Sequence, residues 1–295
     1  MLTSARVSAW RATGTTSGGG TGGAGTAGKP AAPGGTTARA AVAVEFALTG
    51  GVLFVLVTAV RWVMVSPLSR ALPEPHLQLA AVAVIVGVAL AWALSSSWGR
   101  QSGGHLNPAV TLALWVTGAF PGRRVLPYVA AQLAGSVAGT GLARLVWGPV
   151  VGARMDYAAV RPAPALSAAA LFTAEAAATA AILAVALLLM SRPAWACWIP
   201  LALPAATAVV IVTLGTLTGG SANPARQFGP ALWAHQSVHW SHLWVYLVAP
   251  LAGAALSALV TRYRTYRLRH SPRSGPARLH GRRSETGRCA DGSIC

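Results

Sequence analysis

Six stretches of this sequence, at about residues 41–65, 77–98, 124–147, 166–190, 195–216 and 241–263, are long and apolar enough to cross a membrane. A helix needs about 20 residues to span a hydrocarbon core of about 30 Å. Between Ala40 and Val260 charged residues occur only singly or in short clusters, and across the whole chain they make up 10% against 54% hydrophobic. A soluble domain carries roughly a quarter charged residues, and helices this apolar all round cannot form its surface. The chain therefore reads as an all-α membrane protein with six transmembrane helices. Trp62, Trp98, Trp147, Trp195, Trp198, Trp240 and Trp244 fall near the ends of the stretches, where an interfacial aromatic belt places them.

Basic residues outnumber acidic ones 23 to 6, for a net charge of +17. In a soluble protein that excess points to nucleic acid. Here it lies mostly outside the apolar stretches, with nine arginines in residues 262–288 alone. With the N-terminus inside, the cytoplasmic side collects 17 of the 23 basic residues, while Arg61, Arg70, Arg144, Arg154, Arg161 and Arg226 fall on the other side. Basic residues concentrate on the cytoplasmic side of membrane proteins. The expected partner is thus the lipid bilayer of the cell membrane rather than nucleic acid, with both termini cytoplasmic. The tail arginines serve as an orientation signal or hold anionic headgroups, at about 1 kcal/mol each.

Residues 1–39, including TGTTSGGGTGGAGTAGKPAAPGG, offer no apolar face and read as a disordered tail. They lack the apolar run of a secretory signal. Residues 264–295 read as a second, Arg-rich disordered tail, which leaves 40–263 as the membrane domain. Cys197 lies in an apolar run and is expected to be a small core residue, whereas Cys289 and Cys295 lie in the tail. No disulfide framework or metal-ligand spacing follows from them, and no cofactor is expected.

The membrane domain contains a repeat. YVAAQLAGSVAG from Tyr128 matches YLVAPLAGAALS from Tyr246, and SGGHLNPAV around Asn107 matches TGGSANPAR around Asn223, at offsets of 118 and 116 residues. Repeat one is then 40–147 and repeat two 166–263. Each holds three spans, an odd number, so the second copy enters from the opposite face as an inverted repeat.

The segments after the two N-P-A triplets, residues 107–117 and 223–233, are too short to span. About 11 helical residues cover about 16 Å, half of the core. Each follows a glycine-rich stretch, with asparagine placed as N-cap and proline at the first helical position. Two re-entrant half-helices meeting at the midplane result, with Asn107, Pro108 and Ala109 facing Asn223, Pro224 and Ala225. Irregular backbone at that depth is tolerated only where it lines a cavity or is covered by protein. Two converging helix N-termini repel cations and protons, while the asparagine amides can hold the oxygen of a neutral molecule.

With two such loops in a duplicated six-span chain, residues 40–263 resemble the aquaporins, or major intrinsic proteins, whose two signature loops look like SGGHLNPAVTLALW and GGSANPARQFGPAL. The resemblance implies a homotetramer with one pore per subunit, passive transport, and Arg226 in an outer constriction. Counting without gaps from the two asparagines, the family's four constriction positions fall on Gly87, Ile211, Gly220 and Arg226; a one-residue slip puts Val86 or Val88 in place of Gly87. Water-selective relatives usually have an aromatic residue at the first position and a histidine at the second. Glycine and isoleucine here imply a wider, less polar filter. Arg226-Gln227-Phe228-Gly229-Pro230 resembles glycerol facilitators except that Gln227 stands where they typically carry an aspartate, and the two glycines with isoleucine in the filter, Ala231 and Tyr246-Leu247 are more similar to the nodulin-like branch. What this implies is a passive channel for water and small uncharged solutes: glycerol, urea, or metalloid acids such as boric or arsenous acid. A water-selective pore is the alternative, and a secondary transporter, which also uses inverted repeats, a further one.

Glu45 and Glu175 occupy equivalent places early in spans one and four. An intramembrane carboxylate is a functional candidate by default, but the expected role is structural, accepting hydrogen bonds from the backbone N–H groups of a re-entrant loop. His105 is expected to be a loop and packing residue. His235, His239 and His242 have metal-like spacing without a supporting carboxylate or cysteine, and read as polar residues at the outer mouth. No His, Cys, Ser and carboxylate constellation sits at matched depth, which speaks against an enzyme.

Overall fold

The computed structural model describes residues 38–234 and 240–270. Ten α-helices follow in these residues: α1 Ala38–Met64, α2 Pro75–Ser95, α3 Ser97–Ser102, α4 Pro108–Val116, α5 Val125–Trp147, α6 Val150–Ala153, α7 Ala168–Met190, α8 Ile199–Leu214, α9 Pro224–Ala234 and α10 Trp240–His270. Six segments have the length and hydropathy of a membrane span: α1, α2, α5 with the turn before it, α7, α8 with the turn before it, and α10. The fold is six transmembrane helices with two half-helices, α4 and α9, between them.

The duplication organises the packing. Helix α1 lies along α5, the equivalent pair in the second repeat is α7 with α10, and α2 with α8 joins the halves. Between transmembrane helices, small residues allow the close approach that replaces a hydrophobic driving force. A side chain at Gly135 of α5 would fall on the carbonyl oxygen of Phe46 in α1, and one at Gly253 of α10 on that of Ala176 in α7. The two glycines sit at matching places in the repeat, each against the residue after a buried glutamate.

The expected spans agree with the helices to within a few residues. One boundary moves: α10 continues past 263 through Arg264 and Arg267 to His270. Extending an existing helix needs no new nucleus, and Arg, Leu and Tyr are tolerated in one, so polarity alone placed the boundary too early. Cys197 is a second correction. It is exposed in the tight turn Pro193–Trp198 instead of lying in the core. The tail expectations for residues 1–37 and 271–295 lie outside the described residues, as do His235 and His239.

Overpacking a tight contact costs about 1–3 kcal/mol. Gly135→Val is expected to lower the thermal midpoint of the detergent-purified protein, followed by size-exclusion chromatography. Gly51→Val is the control, because a side chain there meets nothing within 4 Å. Equal midpoints for the two variants would contradict the close α1–α5 contact.

Candidate functional site

Each half-helix begins from a loop whose backbone few residues tolerate. Gly103 and Gly104 have φ of 99° and 58°, Gly219 and Gly220 have 87° and 59°, and the residues before the asparagines, Leu106 and Ala222, have 50° and 47°. This left-handed backbone turns successive N–H groups toward one point instead of along a helix. A buried carboxylate occupies that point in each repeat.

Glu45, fully buried on α1, accepts from the backbone N–H of His105 at 2.9 Å and of Leu106 at 2.8 Å, and from the Ser102 hydroxyl at 2.8 Å. Glu175, fully buried on α7, accepts from the N–H of Ser221 at 3.1 Å and of Ala222 at 2.7 Å, and from the Thr218 hydroxyl at 2.7 Å. The Tyr128 hydroxyl donates to the Ser102 carbonyl and the Tyr246 hydroxyl to the Thr218 carbonyl, at 2.8 and 2.6 Å. The tyrosines that begin the matched segments of the repeat thus close matched loops.

The asparagines cap their half-helices and bind the loops together. Asn107 Oδ1 accepts from Ala109 N–H at 2.8 Å, and Asn223 Oδ1 from Ala225 N–H at 2.9 Å. Their amide nitrogens donate across the centre, Asn107 to the Ala222 carbonyl at 3.1 Å and Asn223 to the Leu106 carbonyl at 3.0 Å. Each amide nitrogen has two hydrogens, so one remains on each asparagine, and both residues line a central cavity. Pro108, Ala109, Pro224 and Ala225 are buried behind them. At the far end of α4, Arg262 donates to the Val116 carbonyl at 3.1 Å, a cation where the helix dipole is negative.

The cavity has a volume of about 460 Å³. Its lining runs from Leu94, Leu203 and His105 at one end, past the asparagines, to Arg154, Arg161 and Arg226 at the other. One wall is apolar, with Val52, Leu56, Val82, Val86 and Leu90. The facing wall is loop backbone at Gly104, Leu106, Gly219 and Gly220. His105 is 5% exposed, with Nδ1 3.0 Å from the Thr111 hydroxyl and its ring in a three-ring cluster with Phe120 and Tyr128.

Three of the four anticipated constriction residues, Ile211, Gly220 and Arg226, line the cavity; Gly87 does not. A side chain at Gly87 would point at α8, 3.8 Å from Ala208 Cβ and 3.9 Å from the Pro204 carbonyl, while Val86 lines the cavity in register with Val82 and Leu90. One residue is a rotation of about 100° on a helix, enough to exchange the cavity for a helix seam. Gly220 is constrained by its own φ and by the Val210 carbonyl, 2.9 Å from where a side chain would begin. The gap it leaves is thus a consequence of how the loop packs.

Sequence reasoning missed the segment that crosses the Arg226 end. Arg226 Nη1 donates to the Ala158 carbonyl at 2.6 Å, and the fully buried Gln227 amide brackets Val160, accepting its N–H at 2.9 Å and donating to its carbonyl at 3.1 Å. The departure at Gln227 was the only signal; its partners, backbone groups 67 residues away, leave no trace in composition. Among the described residues no group of three His, Cys, Asp or Glu side chains could hold a metal ion, and the described His242 has the Ser241 hydroxyl beside it at 3.2 Å.

An inverted repeat of spans around two crossed half-helices and a lined central cavity defines a membrane channel. The chain belongs to the major intrinsic protein family, whose model matches residues 35–261. It is 36% identical over 189 residues to a probable aquaporin, AqpM, of Archaeoglobus fulgidus, covering 60% of this chain and 75% of that protein. It is 32% identical over 219 residues to the propanediol uptake facilitator PduF of Citrobacter freundii, covering 62% and 78%. The aquaglyceroporin structure from Plasmodium falciparum shares the fold at a TM-score of 0.65 and 19% identity, covering 76% of this chain and 95% of that one.

Removing one partner from a buried charged network costs about 3–5 kcal/mol. Glu45→Gln places an amide N–H₂ where backbone donors converge, so it is expected to abolish monodisperse protein or lower its thermal midpoint sharply. Thr218→Val removes a hydroxyl that donates to Glu175 and accepts the Gly220 N–H but leaves the carboxylate in place, and is expected to cost less, about 1.5–3 kcal/mol. A Glu45→Gln protein as stable as wild type would contradict the loop-holding role.

Proposed function

We propose that this protein is a passive channel for water and small uncharged hydroxylated or amide solutes, of the class of glycerol, urea and boric or arsenous acid, and that it excludes protons and ions. The observation that carries the reading is the pair of asparagine amides, each spending one hydrogen on the opposite loop and keeping one for the cavity. A solute oxygen can accept from them while its carbon skeleton lies along Val52, Leu56 and Val82. That amphipathic lining suits a molecule with polar groups on one side. A cation there meets two helix N-termini and then Arg226, each unfavourable to positive charge.

Ile211 and Gly220 support passage of solutes larger than water, since neither brings a polar side chain to the level of Arg226. Val86, which lines the cavity where Gly87 does not, is then the first constriction residue and makes that level narrower than glycine would. A relative named for propanediol uptake fits a pore for small diols and triols. The distribution of basic residues supports a cell-membrane location with both termini cytoplasmic. The homotetramer rests on the family resemblance.

The test is the pair Val86→Phe with Ile211→His in proteoliposomes. Glycerol and boric acid swelling rates are expected to fall about tenfold or more while water flux changes less than about threefold. Equal loss of every flux would count against this level as the filter. Arg226→Val is expected to raise cation leak several-fold, read from dissipation of a potassium gradient. Solute flux that stops when ion gradients are collapsed would show a transporter instead.

A further inference from the structure

Three arginines line one end of the cavity, Arg154, Arg161 and Arg226. Arg161 pairs with Asp156, while Arg154, exposed at the rim, forms no salt bridge among the described residues. Arg226 spends one N–H on the Ala158 carbonyl, and a guanidinium has five. Of the other acids described, Glu45 holds its loop and Glu74 stands on the same face at the start of α2 but outside the cavity lining, while Glu175 holds its loop and acts on Arg226 through space, so that three arginines face Asp156 and Glu175. The vestibule therefore carries a net positive charge between low-dielectric walls, a setting that focuses a field for anions.

The segment that bears Arg154 and Arg161 is held in place. Asp156, Tyr157 and Ala158 are three consecutive non-glycine residues with φ of 46°, 57° and 63°. Such strained backbone persists only where the surroundings over-determine it, and it clusters at ligand sites. Here the surroundings are the Gln227 bracket on Val160, the Arg226 bond to Ala158, and the buried Tyr157 ring 5.9 Å from that of Trp233. None of this is needed to form the apolar wall or the asparagine pair.

We propose that this vestibule is a binding site for a small oxyanion, of the carboxylate or phosphate class, which Arg154 and Arg161 hold above Arg226. Guanidinium forks match such oxygens in pairs. At the level of Arg226 the anion meets Val86 and Ile211, which narrow the passage and offer nothing in exchange for its hydration. It therefore stops at the mouth and obstructs solutes that do pass. The site stands apart from the solute reading in its binding, and rests on that reading only for the obstruction.

The probe is inorganic phosphate on both faces of proteoliposomes, with ionic strength held constant by sodium chloride. Glycerol-driven swelling of wild type is expected to slow about threefold at about 50 mM phosphate, an effect beyond charge screening. In the double variant Arg154→Gln, Arg161→Gln the ratio of rates with and without phosphate is expected to return to about one, and in Arg154→Lys to fall between, the charge being kept without the fork. Calorimetry on detergent-purified wild type is expected to show saturable phosphate binding, lost in the double variant. No saturable heat in wild type, or slowing that is undiminished in the double variant, overturns the site. Absence of swelling without phosphate would overturn the channel reading, while the calorimetry still decides the anion site.

Discussion

Two buried carboxylates accepting backbone N–H groups hold this structure open. The two loops carry non-helical backbone into the interior of the membrane domain, where unsatisfied N–H groups cost several kcal/mol each. Glu45 takes those of His105 and Leu106, and Glu175 those of Ser221 and Ala222. With the loops held, each asparagine can cap its own half-helix and reach the other loop's carbonyl. The half-helices meet, and their N-termini and amides face one cavity. The close glycine contacts at Gly135 and Gly253 bring the glutamate-bearing helices near enough to serve the loops.

The repeats share this machinery and differ at the ends of the pore. In repeat one, the residues at the loop and half-helix positions are His105 and Thr111, which face each other at 3.0 Å with Gln132 donating to both Thr111 and Glu45. In repeat two the corresponding places hold Ser221 and Gln227, and Gln227 turns to the crossing segment at Val160. Duplication supplies a symmetric frame, and the two ends of the cavity differ where the symmetry breaks. One end is a buried histidine among aromatic rings; the other is a strained loop and three arginines.

Much of this was legible in the sequence because the membrane imposes simple rules. Span length, the two N-P-A triplets shortly after glycine pairs, and a single carboxylate in a membrane span each have few physical readings. The positions of Asn107, Asn223 and Arg226 relative to their half-helices follow from local chain geometry. What escaped depends on helix rotation or on distant backbone. Gly87 against Val86 turns on one step of about 100°. The Gln227 bracket and the left-handed run at Asp156–Ala158 depend on a loop brought to α9 only by the whole fold. Cys197 misled because an apolar neighbourhood in a membrane protein can be lipid as readily as core.

The central claim is that an amphipathic pore held by Glu45 and Glu175 passes small uncharged solutes passively. Stopped-flow light scattering of wild-type proteoliposomes across water, glycerol, urea and boric acid tests it most directly. Rates well above those of empty liposomes are expected for water and for at least one of the larger solutes, unchanged by collapsing ion gradients. Rates indistinguishable from empty liposomes for every solute except water would contradict it.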